Sequence, residues 1–193
     1  ATRINSAADP ALSGAIIQTF DSATADSYFT SQTFLTGANG FTVTPLSGSL
    51  HIDNVFCGNF GTTGNCLDTI TTGGAANDDF NITFTGSGVT AFGFNVNALD
   101  IDWTVTTYGA GNVLLGTYVI NSQSPGLVGD NRRGYFGATE LSRIQSIQIR
   151  SASGSDRALI DNVAFVVTPE PSAAVLLGLG LVGLALAGSR RSP

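Results

Sequence analysis

The sequence is poor in charge and lacks two residue types altogether. Of its 193 residues only 11% are charged, and there is no lysine and no methionine. Without lysine, neither a P-loop nucleotide site nor a Schiff-base mechanism can be built. The net charge of −6 argues against nucleic-acid binding, which requires a basic surface. An apolar fraction of 42% argues against intrinsic disorder.

Histidine and glutamate are almost as scarce, which limits the available enzymes. His51 is the single histidine, begins a strand-like run and is interpreted as an ordinary surface residue. A Ser–His–Asp triad would have to use it, yet no Gly-x-Ser-x-Gly motif surrounds a candidate serine. A glycosidase needs two carboxylates, but the only glutamates are Glu140, near a predicted turn, and Glu170. Asp100 and Asp102 share a strand face, as exposed polar residues commonly do. We therefore predict a protein that is not an enzyme.

The two cysteines predict a disulfide. Cys57 and Cys66 enclose eight residues rich in turn formers, so their sulfurs can meet. A metal site would need two further soft or imidazole ligands, and His51 is the one imidazole. The start at Ala1 is interpreted as that of an exported chain after signal-peptide removal, the alternative being an arbitrary boundary. In an exported chain a bridge is expected, and closing so short a loop stabilises by about 2–3 kcal/mol.

A long apolar run lies near the C-terminus. Residues 173–188 are sixteen residues without a charge, followed shortly by Arg190 and Arg191. As a helix this run spans about 24 Å, slightly less than the roughly 30 Å hydrocarbon core. The arginine pair would stay cytoplasmic and leave the body of the chain outside. The apolar surface of such a helix must be shielded from water by lipid, by detergent or by other copies of the chain. Shielding by other copies predicts self-assembly.

Residues 169–193 resemble the PEP-CTERM sorting signal of Gram-negative bacteria, the alternative being a plain C-terminal anchor. That signal consists of a Pro-Glu-Pro motif, an apolar helix and a terminal arginine cluster. The matching residues here are Pro169, Glu170, Pro171, Arg190 and Arg191. The resemblance implies recognition by an exosortase and transient anchoring in the inner membrane. It further implies a destination at the cell surface or in the extracellular matrix, often together with exopolysaccharide.

Residues 1–168 have the pattern of one all-β domain. Short β-branched or aromatic runs are separated by turn-forming clusters, and Phe80, Ile82 and Phe84 alternate with polar residues. Predicted strands cover residues 16–20, 41–44, 52–56, 80–85, 89–96, 101–108, 113–120, 146–150 and 158–167. Because no helices alternate with these strands, we predict a two-sheet antiparallel sandwich of the jelly-roll type, followed by the single apolar helix.

The last third is similar to the closing segment of extracellular bacterial jelly-roll domains. The matching runs are 133–138 (RGYFGA), 144–149 (IQSIQI) and 159–165 (LIDNVAF). Carbohydrate-binding jelly rolls often hold a structural calcium between the first and last strands, and this implies Asp21 and Asp161 as ligands. Asp26 and the cluster 77–79 are further oxygen donors. All of these residues also suit turns and caps. No other cofactor is predicted.

Glycan contact requires exposed aromatic and polar side chains. The loop 126–137 is the best candidate, with Arg132, Arg133 and Tyr135, because paired arginines can hold acidic sugars; a solvated turn is the alternative. Trp103 shares a face with apolar neighbours and is assigned to the core.

These patterns lead to one main prediction and two alternatives. We predict a non-enzymatic structural protein of the cell surface or extracellular matrix. Its copies would form a filament or coat through the apolar helix and through strand edges. The first alternative is a carbohydrate-binding module for exopolysaccharide, and the second is a hydrolase. Expected partners are the exosortase, further copies of the chain and exopolysaccharide, but not nucleic acid.

Overall fold

The computed structural model describes residues 1–59, 64–71, 79–122, 134–152 and 156–167. Its strands are β1 (Thr2–Ile4), β2 (Ile16–Gln18), β3 (Ser27–Phe29), β4 (Gln32–Phe34), β5 (Phe41–Pro45), β6 (Leu50–Asp53), β7 (Cys66–Asp68), β8 (Asp79–Phe84), β9 (Val89–Asn97), β10 (Trp103–Tyr108), β11 (Leu114–Ile120), β12 (Gly134–Ile144), β13 (Ser146–Ser151) and β14 (Leu159–Val166). The described helices are α1 (Phe56–Asn59) and three short 3-10 turns at Pro10–Leu12, Gly37–Asn39 and Ala110–Asn112.

The strands form two antiparallel sheets, which confirms the predicted sandwich. Sheet A has eight strands, in the order β1-β12-β9-β14-β7-β6-β3, with β2 also paired to β14. Sheet B has six strands, in the order β11-β10-β13-β8-β5-β4. Neighbours in the sheets are often distant in sequence, as expected for a sandwich built from crossing connections.

The core lies between the sheets and is rich in aromatic rings. Phe80 on sheet B and Phe92 and Phe94 on sheet A are fully buried, as their alternation with polar residues predicts. Trp103 is also buried, and its indole N–H donates to the Asp156 carboxylate at 2.8 Å. Because a buried N–H without a partner is costly, this carboxylate stabilises the position of the ring.

Strand β6 ends earlier than predicted. The sequence pattern extends a strand over 52–56, but β6 ends at Asp53 and α1 follows. The cause is local, because one Asp53 carboxylate oxygen accepts the backbone N–H groups of Val55, at 2.7 Å, and Phe56, at 2.5 Å. Satisfying the free N–H groups of a first turn favours helix over strand.

Sequence reasoning missed β1, β3, β4, β7 and β12. The first four contain three residues each, too few to show alternation. Strand β12 is long, but it includes two glycines and its pairing with β9 shifts register between Thr139 and Ile144. Glu140 therefore lies within a strand, and its assignment near a turn is wrong.

The outer face of sheet A is covered at both ends. The N-terminal segment packs Leu12 beside Ile4, Ala91 and Ala164. The segment that begins with α1 packs its cysteines against Leu159. None of the described helices is long and apolar enough to cross a membrane. The apolar stretch 173–188 and the sorting residues lie outside the described residues.

Candidate functional site

The two predicted calcium ligands, Asp21 and Asp161, are close enough for the charge of Asp21 to affect the pKa of Asp161. Strand β14 pairs with β7 through Leu159 and Ile160 and with β2 from Val163 onward, so Asp161 lies between these two pairings. Asp161 is 3% exposed, and its carboxylate oxygens accept the backbone and side-chain N–H groups of Asn162 at 2.7 and 3.1 Å. Asp21 lies in the segment after β2 and accepts the backbone N–H of Asn65 at 3.0 Å.

The surroundings of Asp161 disfavour its negative charge. Burial raises the pKa of its carboxyl to about 7; the N–H of Asn162 opposes this shift, and the charge of Asp21 adds to it. Within the described part of the chain, no salt bridge brings a cation to Asp161. Two carboxylates without a protein cation fit a hard divalent ion, so calcium stays a prediction on these residues.

Tyr135, one of the three predicted glycan contacts, lies in a strand and not in the predicted loop. Tyr135 lies in β12, opposite Asn95 of β9. Its ring is half-buried, and its hydroxyl lies against Gly93 with no hydrogen-bond partner among the described residues. Burial, together with the charge of Asp9, raises the pKa of this hydroxyl to about 12. Arg132 and Arg133 lie outside the described residues, so glycan contact by the three stays a prediction.

The Cys57–Cys66 disulfide is present, with the two Cα atoms 6.1 Å apart. Cys66 begins β7 and is the register partner of Asp53 on β6. Cys57 lies in α1, whose first turn is capped by the same Asp53. The bridge therefore ties α1 to the outer face of sheet A.

His51 lies on the same outer face of sheet A. It is buried there, so its assignment to the surface is wrong. It is 6% exposed and stacks on the ring of Tyr28 from the sheet-terminal strand β3, with centroids 4.3 Å apart. Its Nε2 lies 3.0 Å from Oδ1 of Asp26. Its Nδ1 faces Oδ2 of Asp53 at 3.5 Å and Oδ2 of Asp68 at 3.6 Å. Sequence alternation places His51 and Asp53 on one strand face, but Asp68 joins them only through the β6–β7 register.

One arginine completes this cluster. The Nε of Arg157 donates to Oδ1 of Asp68 at 2.8 Å, and its Nη2 contacts Oδ2 of the same carboxylate. Nη2 also lies 3.6 Å from Oδ2 of Asp53. The guanidinium stacks over the ring of Phe56, 3.6 Å from its centroid. We call His51, Asp26, Asp53, Asp68 and Arg157 the His51 cluster.

The outer face of sheet B carries a shallow groove of about 550 Å³. We call this feature the sheet B groove. Its polar floor and walls are formed by Asp79, Thr104, Thr106, Tyr108, Gln148, Arg150 and Ser151. Arg150 and Asp79 form an ion pair at 2.7 Å across β13 and β8. Hydroxyl, amide and ring groups thus share one open surface.

One edge of sheet B is long and apolar. β11 is the terminal strand of this sheet and pairs with β10. Its Leu114 is 60% exposed and its Val119 is 48% exposed. The Arg3 side chain donates to the Val119 carbonyl at 2.8 Å.

Comparison with known proteins identifies the tail. Residues 167–191 match the PEP-CTERM protein-sorting motif, as the sequence predicts. The match indicates an exported protein that is processed by an exosortase. No curated protein matches the chain.

Comparison with solved structures identifies the fold of the body. A DUF4465 family protein from Bacteroides caccae is 12% identical, with a TM-score of 0.53 over 80% of this chain and 99% of that one. The K2 cleaved adhesin domain of Lys-gingipain is 14% identical, with a TM-score of 0.45 over 81% and 99%. A family 11 carbohydrate-binding module of a Clostridium thermocellum cellulase is 14% identical, with a TM-score of 0.40 over 82% and 98%. At such identities the first similarity shows the β-sandwich fold alone.

The protein is thus an exported β-sandwich protein that carries a PEP-CTERM sorting motif.

Proposed function

We propose that the protein is a non-enzymatic structural component of the cell surface or extracellular matrix, and that its copies associate through strand edges. The observation that carries this proposal is the exposed edge of β11. An unpaired strand edge offers a row of N–H and C=O groups on which a second chain can pair. The apolar stretch 173–188 provides a second contact between copies for as long as the tail is retained.

The edge of β11 carries few of the features that usually prevent such pairing, although Arg3 donates to the Val119 carbonyl at 2.8 Å and so covers one of its backbone acceptors. Terminal strands of monomeric proteins are kept short, or carry charges or proline. The other three terminal strands, β1, β3 and β4, have three residues each, whereas β11 has seven and reads LLGTYVI, without charge or proline. The exposed Leu114 and Val119 add apolar contact at the same edge.

The test is the oligomeric state of the full-length chain, measured by size exclusion with light scattering. Val119→Lys places a charge on the edge and should shift assemblies toward monomer. Leu141→Lys is the matched control, because Leu141 is 99% exposed on β12, and it should assemble like the wild type. A monomeric wild type, or equal assembly by Val119→Lys, would overturn the proposal.

The sheet B groove favours a second function, binding of extracellular polysaccharide. Thr104, Thr106 and Gln148 offer donors and acceptors to sugar hydroxyls, and Tyr108 offers a ring for stacking. The Arg150 guanidinium, which is paired with Asp79, has further N–H groups that can donate to acidic sugars. The sorting motif at residues 167–191 is consistent with a destination outside the cell, where polysaccharides occur.

Affinity electrophoresis in gels of neutral and acidic polysaccharides tests this second function. Tyr108→Ala should reduce retention by the polysaccharide at least fivefold. Leu141→Ala, which lies outside the groove, should be retained like the wild type. Trp103→Ala is unsuitable as a probe, because Trp103 is buried and its loss unfolds the core. If no polysaccharide retards the wild type, the groove is not a glycan site.

A further inference from the structure

The His51 cluster contains an unsatisfied buried atom. Nδ1 of His51 has no hydrogen-bond partner among the described residues, and the residue is more than nine-tenths buried. Its other nitrogen, Nε2, lies 3.0 Å from the Asp26 carboxylate, which only accepts hydrogen bonds. The proton of a neutral ring therefore lies on Nε2, and Nδ1 presents a lone pair.

That lone pair faces two carboxylate oxygens. Oδ2 of Asp53 and Oδ2 of Asp68 lie 3.5 and 3.6 Å from Nδ1, beyond hydrogen-bond distance. His51, Asp53 and Asp68 each offer one ligand atom, and these atoms lie within 4.8 Å of one another. With a neutral ring, no proton lies between Nδ1 and either carboxylate oxygen, and Nη2 of Arg157 contacts Oδ2 of Asp68. The repulsion that remains between Nδ1 and the two oxygens favours a cation at their centre.

The spacing fits a small metal ion. Ligands bound at about 2.1 Å in tetrahedral geometry are about 3.4 Å apart. The two distances from Nδ1 are close to this value. A histidine nitrogen with two carboxylate oxygens suits zinc and related transition metals, whereas calcium prefers oxygen ligands alone.

The charges of the cluster also leave room for a divalent cation. Asp26, Asp53 and Asp68 face one permanent cation, Arg157, so a neutral His51 leaves an excess of two negative charges. Arg157 can keep its Nε bond to Oδ1 of Asp68 while Nη2 leaves Oδ2, because the side chain is 26% exposed.

We propose that Nδ1 of His51, Oδ2 of Asp53 and Oδ2 of Asp68 bind a divalent transition metal, with zinc as the best-fitting ion. Asp26 is a positioning residue, because a metal-binding histidine commonly donates its other N–H to a carboxylate. The Cys57–Cys66 bridge keeps the strand ends that carry Asp53 and Asp68 together. The site is separate from Asp21 and Asp161 and does not depend on the proposed function.

Calorimetric titration of the untagged full-length chain with zinc tests the site. We expect one ion per chain. His51→Gln should weaken binding at least 100-fold, and Asp26→Asn about tenfold, which is typical of an outer partner. Asp161→Asn is the matched control and should bind zinc like the wild type. No saturable binding, or equal weakening by Asp161→Asn and His51→Gln, would overturn the proposal.

Nitrogen NMR tests the same site without any substitution. Because the chain has a single histidine, both imidazole nitrogen signals belong to His51, and their couplings to the ring protons tell Nδ1 from Nε2. Zinc should shift the Nδ1 resonance strongly and leave Nε2 protonated. A shift at Nε2 in place of Nδ1, or no change at either nitrogen, would contradict the proposed ligand atom.

Discussion

Asp161→Asn should stabilise the protein at alkaline pH and remove the fall in stability that ionisation of Asp161 causes between about pH 4 and 7. The pKa of the Asp161 carboxyl is raised from 3.8 to about 7, chiefly because the group is buried. Between these values the folded state holds a proton that the unfolded state has released, so wild-type stability falls as pH rises from about 4 to about 7. The loss approaches roughly 4 kcal/mol, from three pKa units at about 1.36 kcal/mol each.

Urea unfolding in a calcium-chelating buffer at pH 4, 6 and 8 measures this effect. Asparagine carries no charge, so the variant should match the wild type at pH 4 and exceed it by roughly 4 kcal/mol at pH 8. Asp21→Asn should flatten the wild-type slope less, because the charge of Asp21 is a smaller cause of the shift. A variant that loses stability between pH 4 and 7 as steeply as the wild type would refute this reasoning.

Added calcium distinguishes a buried acid from a calcium site. If Asp21 and Asp161 bind calcium, the ion should remove the penalty of the ionised carboxylate and raise the unfolding midpoint of the wild type at pH 8. Asp161→Asn should show little response. An unchanged wild-type midpoint in millimolar calcium would end the calcium proposal.

Two further predictions concern the scaffold of the sites. Replacing both Cys57 and Cys66 with alanine should lower the free energy of unfolding by about 2–3 kcal/mol in urea titration. The reason is that the unfolded chain gains conformational entropy when the short loop is no longer closed. An unchanged unfolding midpoint would contradict this. Asp156→Ala removes the acceptor of the Trp103 indole N–H and of the backbone N–H groups of residues 100 and 101. The loss of these bonds should cost about 2 kcal/mol or more, measured by tryptophan fluorescence during unfolding, whereas a cost below 0.5 kcal/mol would show that they are dispensable.

The long strands could be predicted from sequence because they alternate over many residues. Strands β8 and β10 bury their apolar residues on one face, β9 buries its phenylalanines on the core face, and Trp103 takes the core position that its neighbours predict. The partner of its indole, Asp156, could not be predicted, because it comes from a segment 53 residues away.

The burial of His51 was missed for the same physical reason. Its cover, Tyr28, belongs to the three-residue strand β3, and its neighbour Asp68 belongs to the three-residue strand β7. Strands this short show no alternation, so only the register between them brings these side chains together. Asp21 and Asp161 were paired through a family resemblance, since 140 residues separate them in sequence.

Electron microscopy of surface material from producing cells tests the central claim most directly. Cells with the wild-type chain should display repeating polymers that contain this protein. Cells with Val119→Lys should display few or none, while Leu141→Lys preserves them. Dispersed wild-type monomers, or equally abundant polymers with Val119→Lys, would contradict assembly through the β11 edge.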